Sequence, residues 1–474
     1  MTAADDAATD LARELAEQRR WRLRPRYART AIFDRLVRNE FLSVDEQRAM
    51  QARALSRVLR FAAAEVPYYR DLFAARGLAP NDIASADDLP KLPLLDKVAV
   101  RTEKARLRPA RLPRGEKVYG TFTTSGTTGH PTRVVQTAAS NAAYSYLTQR
   151  AYRWFRFDPT KTMASIRTAA DLPRGPGGEP YSDGVTCRLP RWRYAGTFFQ
   201  TGAWFGLTST TPVEQQIDWL RKVRPAYFAT PSTWLEYLTY AAGGRTPVDS
   251  LEAAIGVVEQ MIAPVRERLE RVLAAPVHQA YGLNEIGLVA ARCPAGRYHV
   301  HTEHCLVEIV DPEGRPCPPG VAGRIAVTAL NNLAMPLMRY DTDDLAEIPA
   351  EPCPCGRTLP AFENLIGRYR RYIALPAGTY DVYRKIRKAI TDMPDELTHS
   401  MRQFQMHLYR DGRFQLRVAT VGPLPEEFYA RARAAWDSVA AGRRETLEIV
   451  EVKEIARSGA KFQDFTSDYM PGSE

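Results

Sequence analysis

Apolar positions near the start of the chain fall at helical spacing. Leu55, Val58, Leu59 and Ala62 share one face, and Ser43 with Glu46 three positions later supplies the reciprocal cap that starts such a helix. The pattern predicts a helical lead-in over about residues 1–80, with this helix running on to about VPYYRDLFAARG. Farther along, helix-like runs such as PVEQQIDWLRKV and APVRERLERVLA alternate with short apolar runs around AYFAT and VHQAYG, the rhythm of α/β layers. From CLVEIVD through GRIAVTAL the reading is strand and turn. Beyond it, FQMHLYR and RFQLRVAT alternate apolar and polar residues about an Asp411-Gly412 turn, EEFYARARAAW reads as helix and LEIVEVKEI as strand. The last hundred or so residues are therefore expected to form a small α+β unit behind a large α/β portion.

Composition sharpens this picture. A chain of 474 residues with 45% hydrophobic and 25% charged residues suits two or three packed domains rather than disorder. Its 65 Lys and Arg against 55 Asp and Glu give a formal +10, an excess that fits phosphate-bearing small molecules. No basic run is interleaved with stacking aromatics in a recognisable module, so nucleic acid is not an expected partner. The opening MTAADDAATDLARELAEQ is acidic and lacks the apolar core of a secretory signal, and no stretch is long enough to span a membrane. A cytoplasmic location is expected, with no membrane partner; homodimerisation stays open. In that compartment the six cysteines read as thiols or metal ligands.

Two constellations carry candidate chemistry. The run TFTTSGTTGHPTR, residues 121–133, has little apolar surface to bury. Thr123, Thr124, Ser125, Gly126, Thr127, Thr128 and Gly129 offer hydroxyls and a pliant backbone whose N–H groups can converge on an anion. It lacks the GK[ST] ending of a Walker loop, which argues against kinase or GTPase chemistry. An ordinary Ser/Thr/Gly surface loop is the plainer alternative. The second constellation is sulfur-rich. Cys353 and Cys355 form a C-x-C pair beside Gly356, and Cys293 and His299 lie near the two ends of the run RCPAGRYH; together they offer the three thiolates and one imidazole of a tetrahedral zinc site. His301 competes for the histidine position, and Cys305 or Cys317 for a sulfur. Small buried cysteines without metal are the alternative, and Cys187 reads as core.

The loop does not stand alone. It resembles the signature loop of the adenylate-forming superfamily, which includes acyl-CoA synthetases, luciferases and peptide-synthetase adenylation domains, and the other signatures follow in that family's order. AYGLNEIG, Ala280 to Gly287, resembles the Tyr-Gly-x-Thr-Glu motif, with Asn284 where Thr or Ser is usual. The resemblance implies that Ala280, Tyr281, Gly282 and Asn284 line the adenine site, with Tyr281 stacked on the base, and that Glu285 holds magnesium. RYDTDD, Arg339 to Asp344, resembles Arg-Tyr-x-Thr-Gly-Asp, whose last Asp, here Asp344, binds the ribose hydroxyls; Asp343 replaces the glycine. GRYRR, Gly367 to Arg371, is similar to the domain hinge, which puts Arg368 at the pivot and at the nucleotide, although Arg370 and Arg371 stand where acids are usual. RSGAKFQDF places Lys461 at the catalytic lysine, and His130 takes the place of a common lysine. VPYYRDLF, DLPKLPLLDK and CPCGRTLP look like the phenylacetate-CoA ligase-like branch, whose members can carry a zinc at the cysteines.

The resemblance implies an AMP-forming ligase. Residues 1–366 would form the adenylation domain and 367–474 a mobile lid. The expected reaction is ATP-dependent activation of an aryl or arylacetic acid to an acyl-adenylate, then transfer to coenzyme A, with ATP, magnesium and a structural zinc as the other ligands. An alternative keeps adenylation and sends the acyl group to an amine or a carrier-protein thiol, or activates nitrite for diazotisation. A non-catalytic nucleotide-binding protein is the reading from another class. Each key residue also has a plain alternative: Glu285 as a carboxylate at a helix start, Asp344 as a turn cap, and Lys461 as a solvated tail lysine.

Overall fold

The computed structural model describes residues 3–28, 31–123, 133–257, 261, 263–366, 382–383, 386–387, 389–390, 392–398, 400–440, 446–455 and 465–468. The chain opens with helices α1 (Ala3–Arg20), α2 (Ile32–Asn39), α3 (Val44–Glu65), α4 (Pro67–Arg76) and α5 (Lys97–Thr102). The Ser43 cap is present in both directions: its hydroxyl accepts from the Glu46 N–H at 3.2 Å while Glu46 accepts from the Ser43 N–H at 2.8 Å. Leu55, Val58, Leu59 and Ala62 are all fully buried. The expectation of one continuous helix is corrected at Val66, whose φ of −106° and ψ of 110° are extended. Pro67 disfavours a helical residue before it and brings no N–H, so the run breaks into α3 and α4. Helix α4 ends at Gly77, which takes φ +61°, the left-handed cap that glycine adopts without strain.

Strands β1 (Val118–Thr123) and β2 (Arg133–Thr137) pair antiparallel, and α6 (Ala138–Trp154) follows. The α/β rhythm then appears as β3 (Met163–Arg167), β4 (Cys187–Leu189), β5 (Trp204–Thr208), α7 (Val213–Val223), β6 (Tyr227–Pro231), α8 (Ser232–Ala241), β7 (Ala253–Val257), α9 (Ala263–Leu273) and β8 (Val277–Leu283). A strand-rich stretch follows, with β9 (Gly287–Arg292), β10 (Tyr298–Val300), β11 (Cys305–Val310), β12 (Ala322–Ala329), β13 (Tyr340–Glu347) and β14 (Ala361–Ile366). The C-terminal elements are α10 (Asp395–Thr398), β15 (Met401–Leu408), β16 (Phe414–Thr420), α11 (Glu426–Ala440), β17 (Leu447–Val452) and β18 (Phe465–Ser467).

These elements make two compact units. The first comprises Met1–Thr160, Arg193–Thr201 and Ala280–Tyr369. Its strands run in the order β11-β12-β13-β14-β10-β9, joined by the second half of β8, and every pairing is antiparallel. Its core joins the lead-in helices to these strands through residues such as Leu59, Tyr69, Val289, Val327 and Tyr340.

The second unit comprises Lys161–Trp192, Gly202–Gln279 and Arg370–Glu474. Strands β5, β3, β6, β7 and the first half of β8 are parallel neighbours, and Leu220 of α7, Leu235 of α8 and Leu269 of α9 are buried with their apolar residues. The expected C-terminal hairpin is present: β15 and β16 pair antiparallel about Gly412, at φ +87°. Strands β17 and β18 add in parallel to give the order β17-β16-β15-β18. Among the described residues no helix is long and apolar enough to cross a membrane.

Candidate active site

In the first unit, two chain segments meet through side chains. Strand β8 and the turn into β9 carry Tyr281 and Glu285, and the start of β13 carries Tyr340 and Asp344. The ladder β13-β14-β10-β9-β8 separates the two strands, yet Tyr281 Oη donates to Asp344 Oδ2 at 2.7 Å and Tyr340 Oη donates to Glu285 Oε1 at 2.6 Å. The ladder therefore curls until its fifth strand reaches its first. Phe362 of β14 fills the bend, stacked on Tyr298 at 5.4 Å and edge-on to Tyr281 at 5.8 Å. Burial, reinforced by Asp344 at Tyr281 and by Glu285 at Tyr340, pushes both phenols well above their ordinary range. Both therefore stay protonated donors.

The turns that aim these groups use special backbone. Gly287 takes φ +110°, and a Cβ there would lie 3.0 Å from His304 Nε2, the nitrogen that donates to the Ile286 carbonyl at 2.9 Å. Asp343 takes φ +65°, the conformation that explains the usual glycine at this motif position; aspartate is among the few other residues that tolerate it. The Asp341 carboxylate accepts its N–H at 3.0 Å, and Lys97 Nζ lies 3.0 Å from its carboxylate. Asn284 is exposed, and its carbonyl accepts from Gln136 of β2 at 3.0 Å.

Tyr281, Glu285 and Asp344 are thus brought together, with Ala280 and Gly282 beside Tyr281 on β8. Thr123 ends β1 opposite Arg133. Thr124, Ser125, Gly126, Thr127, Thr128, Gly129 and His130 lie outside the described residues, as do Arg368, Arg370, Arg371 and Lys461.

The cysteines form a second centre in the same unit. Cys293, His299, Cys353 and Cys355 place their ligand atoms all within 4.8 Å of one another. Strand β10 pairs with both β9 and β14, so Cys293, which follows β9, and the C-x-C turn, which precedes β14, arrive on either side of His299. Cys293 Sγ is 3.6 Å from Cys353 Sγ, and Cys355 Sγ is 3.2 Å from His299 Nε2. His299 Nδ1 lies 2.9 Å from the Leu359 carbonyl. A carbonyl only accepts, so Nδ1 carries the hydrogen and Nε2 turns its lone pair to the sulfurs. His301 and Cys305 stand apart: His301 Nδ1 lies 3.4 Å from Arg150 Nη1, and Cys305 Sγ lies 3.8 Å from the Val289 carbonyl. Cys317 and Cys187 are buried outside the cluster.

Sequence reasoning missed the charged network behind this centre. Glu14, Glu40, Arg150, Arg153 and Arg357 are all buried. Arg153 pairs with Glu14 and Glu40. Arg357 pairs with the same two acids at 3.1 Å each and lies over the Trp154 ring. Arg150 grips Glu303 with two nitrogens at 2.7 and 2.9 Å. Burial works to raise the Glu40 pKa, but Arg153, Arg150 and Arg357 hold it below the usual carboxylate range. The available signal was Arg150 and Arg153 inside the otherwise apolar and small-residue face of α6. Lys97 and Tyr340 were missed as well, although Tyr340 precedes Asp344 by the same spacing with which Tyr281 precedes Glu285.

Comparison with known proteins places this arrangement. The profile of AMP-binding enzymes matches residues 47–334. The chain belongs to the AMP-binding enzyme family. Within that family, phenylacetate-coenzyme A ligase of Thermus thermophilus is 28% identical over 337 residues, covering 69% of this chain and 72% of the other. The Escherichia coli protein of the same name is 28% identical over 338 residues, with the same coverage. A crystal structure of 2-hydroxyisobutyryl-CoA ligase in the postadenylation state, in complex with 2-HIB-AMP, shares the fold with a TM-score of 0.72 at 19% identity, covering 91% of each chain. The resemblance to adenylate-forming enzymes is thereby borne out at the level of family and fold.

Proposed function

We propose that the protein activates a carboxylic acid with ATP, forming an acyl-adenylate and pyrophosphate, and then passes the acyl group to coenzyme A. The observation that carries this reading is the convergence of Tyr281, Glu285 and Asp344 in a chain of the AMP-binding enzyme family. In the first step a carboxylate oxygen attacks the α-phosphorus, and the bond to the bridging oxygen breaks with its electron pair leaving on pyrophosphate. In the second, the thiol sulfur attacks the acyl carbon, loses its proton, and AMP departs. The acid is proposed to be aryl or arylacetic, since relatives named phenylacetate-coenzyme A ligase span most of the chain.

Tyr281 would lie against adenine, Asp344 would accept from the ribose hydroxyls, and residues 123–129 would meet the phosphates. Glu285, buried and held on one oxygen by Tyr340, fits a magnesium ligand, and the ion would offset charge on the phosphate oxygens. Lys461, on a lid of residues 367–474 turning about Arg368, would meet the α-phosphate and the incoming carboxylate.

The sulfur centre fits a structural zinc. The Cys293–Cys353 separation of 3.6 Å is well beyond a disulfide bond of about 2.05 Å and near the roughly 3.8 Å between two thiolates on one tetrahedral zinc. The His299 contact with Leu359 is the outer-shell anchor that metal-bound imidazoles use. Four protein ligands leave no position for substrate, so the role is structural.

The deciding measurement is pyrophosphate release over a panel of aryl, arylacetic and aliphatic acids, with and without coenzyme A, followed by product masses. Thioester formed only with coenzyme A supports the proposal; release that coenzyme A does not alter points to another acceptor, and no release with any acid defeats it. Lys461→Ala should slow adenylate formation by roughly a hundredfold or more while changing ATP affinity little, because the charge acts mainly in the transition state. A near-normal rate would return Lys461 to a solvated tail.

A further inference from the structure

The two tyrosine–carboxylate bonds cross. Tyr281 and Glu285 lie four positions apart on one segment, and Tyr340 and Asp344 lie four apart on the other. Each tyrosine donates to the acid of the opposite segment, at 2.7 and 2.6 Å. Tyr340 is fully buried and Tyr281 nearly so, so water does not substitute readily for either partner. Strands β8 and β13 share no backbone ladder. These two bonds are therefore direct ties between the segment that carries Glu285 and the one that carries Asp344.

We infer that Tyr340 and the Tyr281 hydroxyl are positioning groups that form one crossed lock, Tyr340 fixing Glu285 for its metal and Tyr281 fixing Asp344 for the ribose of the same nucleotide. This rests on the adenylation reading above. A carboxylate gripped on one oxygen by a buried phenol loses torsional freedom, and its second oxygen is aimed before any ligand arrives. Crossing adds a consequence that parallel bonds would lack. Loosening either tyrosine frees one end of the tie between the segments, so loss of Tyr340 should be felt at Asp344 and loss of Tyr281 at Glu285.

The test uses the full-length protein and its Tyr340→Phe, Tyr281→Phe and double variants. AMP binding is read by calorimetry without metal, ATP binding is titrated against Mg2+, and thermal unfolding is followed in parallel. Tyr340→Phe should raise the Mg2+ concentration for half-maximal ATP binding by roughly tenfold, the usual scale for losing an outer-shell partner of a metal ligand. Tyr281→Phe should weaken metal-free AMP binding by roughly three- to tenfold, the worth of one hydrogen bond. The double variant should lose less than the product of the two. A purely structural role would lower the melting temperature of Tyr340→Phe and leave its Mg2+ requirement unchanged, which overturns the lock while wild-type nucleotide binding upholds the adenylation reading. Single effects that multiply in the double variant likewise overturn the crossing. A wild-type protein that binds neither nucleotide overturns both. Should Tyr340→Phe fail to fold, the Tyr281→Phe arm decides alone, since unchanged AMP affinity there also sinks the lock.

Discussion

The first unit holds two buried polar regions of opposite design. Around Tyr281, Glu285, Tyr340 and Asp344, each of the two carboxylates accepts from the phenol of the opposite segment. Around Glu40, each acid is met by cations: Glu14 and Glu40 by Arg153 and Arg357, and Glu303 by Arg150. A neutral hydrogen bond orients a carboxylate and leaves its charge for a cationic ligand, whereas a guanidinium consumes that charge. The first arrangement suits binding. The second closes on itself and ties α1, the end of α2, α6 and the C-x-C turn into one body.

The largest effect that would sharpen this contrast comes from the sulfur centre beside the network. Purified protein should contain about one zinc, and Cys353→Ser should lose it, at a cost to folding on the order of 10 kcal/mol if the site behaves as structural zinc does in small domains. Metal analysis and thermal unfolding check both statements. Because Arg357 lies two residues beyond Cys355 and pairs with Glu14 and Glu40, metal loss should also speed proteolysis in α1. Zinc-free protein of unchanged stability would remove the centre from the structural account.

Glu40→Ala comes next. It leaves Arg153 and Arg357 to share Glu14 and Arg150 with Glu303 alone, and breaking a buried pair by deleting one partner typically costs about 3–5 kcal/mol. Urea unfolding should show a loss of that size, with AMP affinity unchanged once the variant is folded. A Glu40→Ala protein that is stable but no longer binds AMP would erase the division between a binding region and a holding region.

The two regions also differed in how far the sequence revealed them. The nucleotide motifs are short runs whose order along the chain is itself informative, and the C-x-C turn makes two thiols neighbours by covalent geometry, so these were legible. Their meeting was less so, since it depends on β10 lying between β9 and β14. For the network the sequence offered only Arg150 and Arg153 within α6. Glu14, Glu40, Arg153 and Arg357 are spread over more than three hundred positions with no motif, and each alone looks like an ordinary exposed helix or turn charge. Burial is decided by packing that no single segment contains. The break at Val66, by contrast, has a purely local cause in Pro67, which the apolar spacing of the helix face does not register.

The smallest effect is a pH dependence, and its two windows separate the histidines from the acids. Burial, with Arg150 nearby, holds His301 well below its ordinary pKa, and burial lowers His304 to about 4. On acidification through 6.5 the unfolded chain takes up protons that these folded histidines refuse, so stability falls as pH drops, down to about 4 for His304. For Glu40 and Glu303 the arginines overcome burial and depress the carboxyl. The folded protein therefore stays charged below 4.5 while the unfolded chain protonates, and their stabilisation is present above 4.5 and lost as pH falls through the folded value. Each group contributes a slope of at most about 1.4 kcal/mol per pH unit within its window. Taking the difference between a variant and the wild type cancels the titrating groups that do not interact with the replaced one. His301→Gln should flatten the unfolding free energy from pH 6.5 downward, whereas Glu40→Gln should flatten it only below 4.5. If Glu40→Gln flattens the upper window instead, the Arg153, Arg150 and Arg357 cations do not hold that carboxylate ionised, and the network loses the feature that sets it apart from the tyrosine-bound acids Glu285 and Asp344.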